Sequence, residues 1–213
     1  MTLQPNVPGA ARMKLAFAVA LVATGLGSAL AQSAADRAEL PTLKVGDRWK
    51  YEQRDRRTGL KESEFDRRIV AVTAAGIDGT ENDGKLVLTP DLNVVESSIG
   101  ILTGDVRYLA FPLEVGKKWD FKFGRANKQT GASARWQVEA VVTAYEKVNV
   151  RAGEFDAFRI DYKGFWNSTS GRNGRSIETV WYAPATRSVV KSEYGDTFNR
   201  NSRELVEFQL QPP

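Results

Sequence analysis

The chain has 213 residues, 42% hydrophobic and 26% charged, the balance of an ordinary globular protein rather than a disordered or collagen-like one. It contains no histidine and no cysteine, which removes the commonest general base, the commonest transition-metal ligand, thiolate nucleophiles and disulfides. Ser-His-Asp and Cys-His catalysis cannot be assembled, zinc, copper, haem and iron–sulfur centres would lack their usual ligands, and no cofactor is expected.

The N-terminal segment has the order of a secretory signal peptide. Lys14 supplies the positive charge, Leu15 to Ala23 is an uncharged apolar run, and Ala29-Leu30-Ala31 ends a stretch of small residues. Residues 1–31 are therefore expected to be removed, with cleavage before Gln32 and with Met13 as an alternative start. A membrane anchor needs about 20 apolar residues; this core is shorter and runs into Gly25 and Gly27. No cysteine follows it to take a lipid. The expected location is the periplasm, with a product that is soluble and does not span the membrane. Removing residues 1–31, which carry Arg12 and Lys14 and no acid, leaves 182 residues and a net charge of +2 in place of +4. That is too near neutrality for a nucleic-acid partner.

Residues 32–40 read as a polar lead-in, and 41–213 as a single β domain. The dominant signal has period two, the mark of half-buried strands. Trp49 and Tyr51 alternate with Arg48, Lys50 and Glu52. Trp119, Phe121 and Phe123 alternate with Lys118, Asp120 and Lys122. The pattern recurs at Trp136, Val138 and Ala140, at Phe158, Ile160 and Tyr162, and near the end at Val206, Phe208 and Leu210. Turn residues fall between the runs, at Thr58-Gly59, Gly76 to Gly84, Gly124 to Gly131, Ala152-Gly153, Gly171 to Gly174 and Gly195-Asp196. Clean alternation indicates antiparallel strands with one packed and one wet face. Asn93 to Leu109 lacks it and reads as a short helix or a long connection.

An echo links Leu43 to Tyr51 with Leu113 to Phe121. Leu, Val, Gly and Trp coincide at an offset of 70 residues, and Val72-Thr73-Ala74 matches Val142-Thr143-Ala144 at the same offset. Either an internal repeat (near 43–74 and 113–144) or reuse of one strand-entry device accounts for it.

No constellation of residues forms a recognisable active site. Carboxylate chemistry needs only two acids across a cleft, but among Glu139, Glu154, Asp156, Asp161 and Glu178 nothing singles out a pair, and polar strand positions predict solvated faces. Asp78 to Gly84 departs from the calcium-loop pattern and reads as a hairpin turn. Asn167 to Arg175 is a polar turn without the strand-and-helix context of a phosphate loop. Three of the five Trp residues sit on the packed parity of their strands. Trp166 and Trp181 flank the polar turn and are the candidate ligand-binding residues.

Two stretches carry a resemblance. Val148 to Ile160 (VNVRAGEFDAFRI) follows a V-x-V-x-A-G-x-F-x-A-x-x-I pattern, with Arg151 where proline is usual, and Trp181-Tyr182-Ala183-Pro184 precedes Val189-Val190-Lys191. These resemble exported β-rich proteins of Gram-negative bacteria, among them proteins labelled TapB-like or as domains of unknown function. The resemblance covers roughly 111–195 and carries no catalytic residue. It implies a plan similar to that of periplasmic lipoprotein carriers, whose open β-barrels cradle acyl chains, a likeness of fold only.

With few helices to cover it, a sheet with one apolar face must curl on itself. The expected fold is all-β, an antiparallel meander forming a strongly twisted, partly closed barrel or half-barrel. The leading functional expectation is a non-catalytic periplasmic binding or envelope-associated protein holding a lipid or other amphiphile, with Trp166 or Trp181 near the opening. A carboxylate-dependent glycan hydrolase and a structural partner of another envelope protein are the alternatives.

Overall fold

A computed structural model of the chain describes residues 37–212. The expected signal peptide and the first part of the lead-in lie outside these residues. Fourteen strands follow in order: β1 (Arg37–Ala38), β2 (Arg48–Asp55), β3 (Lys61–Thr73), β4 (Gly76–Glu81), β5 (Gly84–Leu88), β6 (Val94–Glu96), β7 (Gly100–Gly104), β8 (Leu113–Glu114), β9 (Lys118–Asn127), β10 (Ser133–Val150), β11 (Gly153–Ser168), β12 (Asn173–Ala183), β13 (Ser188–Asp196) and β14 (Arg200–Gln209). A single 3-10 turn, Pro184–Thr186, joins β12 to β13.

Twelve of these strands form one antiparallel barrel, and β1 pairs with β8 outside it. Strands adjacent in sequence are adjacent in the wall, as a meander requires. The meander forms the expected barrel, and its sheet closes on itself: β14 returns to pair with β2 from Asn201 against Asp55 to Gln209 against Arg48, and β9 joins β7 to β10. Closure joins the first and last barrel strands, while the β10–β11 hairpin runs on past its other neighbours, over 143–150 and 153–157, as a two-stranded ribbon.

Alternation sets the two surfaces of the wall. Phe121 and Phe123 are buried inside, while Lys118, Asp120 and Lys122 lie exposed outside. The outer wall is laced with ion pairs such as Lys50 to Glu64 and Lys147 to Glu154.

Alternation misleads in β14. Val206 is a bulge residue, with Leu205 opposite Tyr51 and Glu207 opposite Lys50. The extra residue shifts the parity, so the fully buried side chain is Leu205 and Arg203 turns inward with it. The stretch Asn93 to Leu109 is neither a helix nor one long connection at first: β6 and β7 form a hairpin through Ser97 to Ile99 before the chain leaves the sheet.

That departing segment, 105–117, plugs one end of the barrel. Val106, Leu109 and Leu113 are buried against Phe121, Val138 and Tyr182. Three side chains hold its backbone. The Asn93 amide donates to Leu109 O (2.9 Å) and accepts from Leu109 N (2.7 Å). The Tyr162 hydroxyl donates to Tyr108 O (2.5 Å), and Lys117 donates to Pro112 O (2.8 Å) and to Ala110 O.

The two echoed segments make the same local hydrogen bonds. Gly46 N donates to Ile69 O and Gly116 N to Val142 O, each at 2.8 Å; Ile69 N donates to Asp47 O and Val142 N to Lys117 O, each at 2.9 Å. Gly46 and Gly116 have φ of +94° and +91°, a backbone region that a Cβ disfavours. Both following indoles also donate to backbone carbonyls, Trp49 to Thr186 O and Trp119 to Arg107 O, each at 2.7 Å. In these bonds Ile69, not Val72, stands where Val142 does.

Candidate functional site: the barrel lumen

Plugging one end leaves a lumen of about 1100 Å³ that reaches the other, larger than the roughly 300–1,000 Å³ usual for a small-molecule site. The meander places six hairpin turns at this open end, from β2–β3 round to β13–β14. Half-exposed Phe198 and Ile99 line the rim.

One wall is aromatic. β9, β10 and β11 present Phe121, Phe123, Trp136 and Trp166 inward, and Tyr108 of the plug meets them at the floor. The rings form a continuous ladder: Tyr108 to Phe123 at 5.6 Å between centroids, Phe123 to Trp136 at 5.9 Å, Trp136 to Trp166 at 6.0 Å and Trp166 to Phe198 at 6.1 Å. Gly174, opposite Trp166 on β12, has no side chain; a Cβ there would stand 3.2 Å from the indole. The indole N–H groups of Trp136 and Trp166 meet no hydrogen-bond partner, although a buried indole usually finds one.

The facing wall is polar. Glu178 lies between Tyr162 of β11 and Tyr194 of β13, its direct cross-strand neighbours. Burial pushes its carboxyl up to about 7, against the pull of Arg203 and Arg125. Arg203, on β14, lies 4.9 Å over the Phe65 ring, and its Nε meets no hydrogen-bond partner. Burial, reinforced by Arg67, lowers its pKa from the ordinary arginine value. Across from them, on the aromatic side, Arg125 stands two residues beyond Phe123 on β9, exposed toward the rim. Among the described residues, the side chains of Glu178, Arg203 and Arg125 form no ion pair or hydrogen bond with the protein. Glu81 is a contrast. Burial works to raise its pKa, but Arg67 at 2.7 Å and the Ser98 hydroxyl at 2.6 Å prevail and hold it below the ordinary value.

Of the residues singled out in the sequence, Trp166 lines the lumen and is 7% exposed. Trp181 stands on the opposite face of β12 from Glu178 and Val180. There it takes cations from Arg159 (5.8 Å) and Lys191 (5.0 Å), and its indole donates to Glu146. Glu139 and Glu154 are exposed; Asp156 approaches Lys147, and Asp161 accepts from Thr143 and Thr179. Glu178 is the acid that departs from its expected solvated face. Ile177, its apolar neighbour, is the outward residue at 67% exposure.

No family model matches the chain, and no curated relative does. Solved structures do. A candidate exported protein with a YmcC-like fold from Bacteroides fragilis is 16% identical, with 81% of this chain and 99% of that one covered, at a TM-score of 0.59. A candidate lipoprotein from Parabacteroides distasonis is 15% identical over the same shares, at 0.56. The hypothetical lipoprotein YmcC of Escherichia coli follows at 12% identity, 77% and 84% coverage and 0.47. The first two share the fold with this chain.

Proposed function

We propose that the protein is a non-catalytic binding protein of the bacterial envelope that holds an amphiphile in its lumen. The observation that carries this reading is the division of one chamber into an aromatic ladder and a polar wall with unpaired groups. An apolar chain or ring system lies along Phe123, Trp136 and Trp166, and a polar end meets the facing wall. Export to the periplasm through residues 1–31 belongs to the same proposal, as does the carrier analogy drawn from the TapB-like motifs. Trp181, outside the lumen lining, has no role in it.

Native mass spectrometry of gently purified protein, with fluorescence titration by a fatty-acid probe, tests the reading. Saturable binding at one site per chain is expected, weakened about two- to tenfold by Trp166→Ala, since loss of one stacked aromatic is worth roughly 0.5–1.5 kcal/mol. Absence of both co-purified ligand and saturable probe binding would leave the structural-partner reading ahead. The intact mass should also begin at Gln32.

One observation favours the hydrolase alternative: Glu178 and Glu81 share a chamber with their pKa values pushed apart, a pattern of acid–base pairs. Glu81 ranks it second, because both its oxygens are already engaged by Arg67 and Ser98. Release of reducing sugar from envelope glycans, lost in Glu178→Gln, would reverse that order.

A further inference from the structure

We infer that Arg203, Arg125 and Glu178 form the subsite for the ligand's polar end, and that this end is an anion of the carboxylate class able to share a proton. The inference rests on the lumen-binding reading above and specifies what the chamber selects.

An inward arginine without a carboxylate is costly to bury. Arg203 nevertheless points into the barrel, half-buried, with its Nε unbonded and its guanidinium over the Phe65 ring, and the charges of Glu178 and Glu81 act on it without a direct contact. The other inward cation on this side, Arg67, is neutralised by Glu81 at 2.7 Å. Arg125 adds a second unpaired positive charge nearer the rim. Among the described residues Glu178 is the lining acid without an ion pair or hydrogen bond, so these three groups together carry an excess of +1 while its carboxylate is ionised and +2 once it is protonated, with Arg172, over the Phe198 ring at the mouth, a further cation. A planar guanidinium offers a carboxylate two parallel donors, and protonated Glu178 adds an O–H donor toward the same place. The other groups around Glu178 do not compete. Tyr162, Tyr194 and Tyr108 are held protonated by burial, and Tyr194 already donates to Asp196. A neutral head leaves the two guanidinium groups unpaired, and a cationic head is repelled by both.

The pH dependence follows with its sign. Burial places the Glu178 carboxyl near 7. Lowering the pH through that value raises the positive excess and supplies the O–H donor. An anionic ligand therefore binds more tightly at about pH 6 than at about pH 8, and its binding takes up a proton.

The test uses dodecanoate, dodecanol and dodecylamine, which share a chain and differ in head charge, each titrated into the mature protein at both pH values by displacement of a fluorescent fatty-acid probe. Dodecanoate is expected to bind at least about tenfold more tightly than the other two, the order of a charge-assisted hydrogen bond. Arg203→Gln should narrow that ratio to within about threefold. Should Arg203→Gln fail to fold, Arg125→Gln at the exposed rim should narrow it in the same direction, and Glu178→Gln should abolish the pH dependence. Saturable binding of all three amphiphiles with equal affinity, or a preference for the amine, would overturn the inference while leaving the lumen-binding reading intact. No saturable binding of any of them would overturn both.

Discussion

The two ends of the barrel interior are built on opposite principles. At the plugged end, Val106, Leu109 and Leu113 fill the space between the strands, and nearly every inward polar atom has a partner: Asn93 pairs with Leu109, Tyr162 with Tyr108 O and Trp49 with Thr186 O. The Tyr182 hydroxyl is the exception. Toward the open end Glu81 pairs with Arg67 and Tyr194 with Asp196, but Arg203 Nε and the indoles of Trp136 and Trp166 are left unmatched, and Glu178 makes no hydrogen bond or ion pair. Folding alone favours the first arrangement, since an unsatisfied buried group costs about 1–3 kcal/mol. A chamber that keeps several such groups is organised for something that enters it.

The contrast is broken most severely at the floor. Phe121 is 2% exposed and contacts Tyr108, Phe123 and Tyr162. Phe121→Ala should cost about 3–5 kcal/mol in denaturant unfolding; a loss below about 1 kcal/mol would mean the floor is not packed. Asn93→Ala, which strands both backbone groups of Leu109, should cost about 2–3 kcal/mol. A neutral outcome there would show the plug held by its apolar residues alone.

A smaller effect, of opposite sign, is expected from the polar wall. A carboxyl whose folded-state pKa of about 7 lies above the unfolded 4.5 binds more protons folded than unfolded. Its contribution to stability therefore falls as pH rises from 4.5 through 7 and is flat beyond. Glu178→Gln should accordingly stabilise the protein at about pH 8, by on the order of 1–3 kcal/mol, and the gain should vanish below about pH 5. A gain that persists at low pH, or a loss at pH 8, would show that Glu178 is paired after all.

The same contrast explains what the sequence disclosed. The antiparallel meander was legible because Trp119-Asp120-Phe121-Lys122-Phe123 assigns its two faces without ambiguity. Trp166 was legible as a large aromatic beside a polar turn. Arg203 was not, because parity counted back from Val206 places it outside, and the bulge that reverses it has no residue signal of its own. Glu178 was hidden for a related reason: Ile177, Thr179 and Trp181 make the more apolar face of β12, yet they face outward. A lumen with one polar wall inverts the rule that the apolar parity points in. Closure of the barrel was likewise unreadable, since pairing between β14 and β2 joins strands at opposite ends of the chain.

The central claim is that the unmatched polar wall and the aromatic ladder are two halves of one binding site. A crystal structure of the mature protein grown with dodecanoate tests it most directly. The account predicts the carboxylate between Arg203 and Glu178 and the chain lying along Phe123, Trp136 and Trp166. Density for the ligand on the outer wall, or a lumen closed by rearranged side chains with Arg203 paired to Glu178, would contradict it.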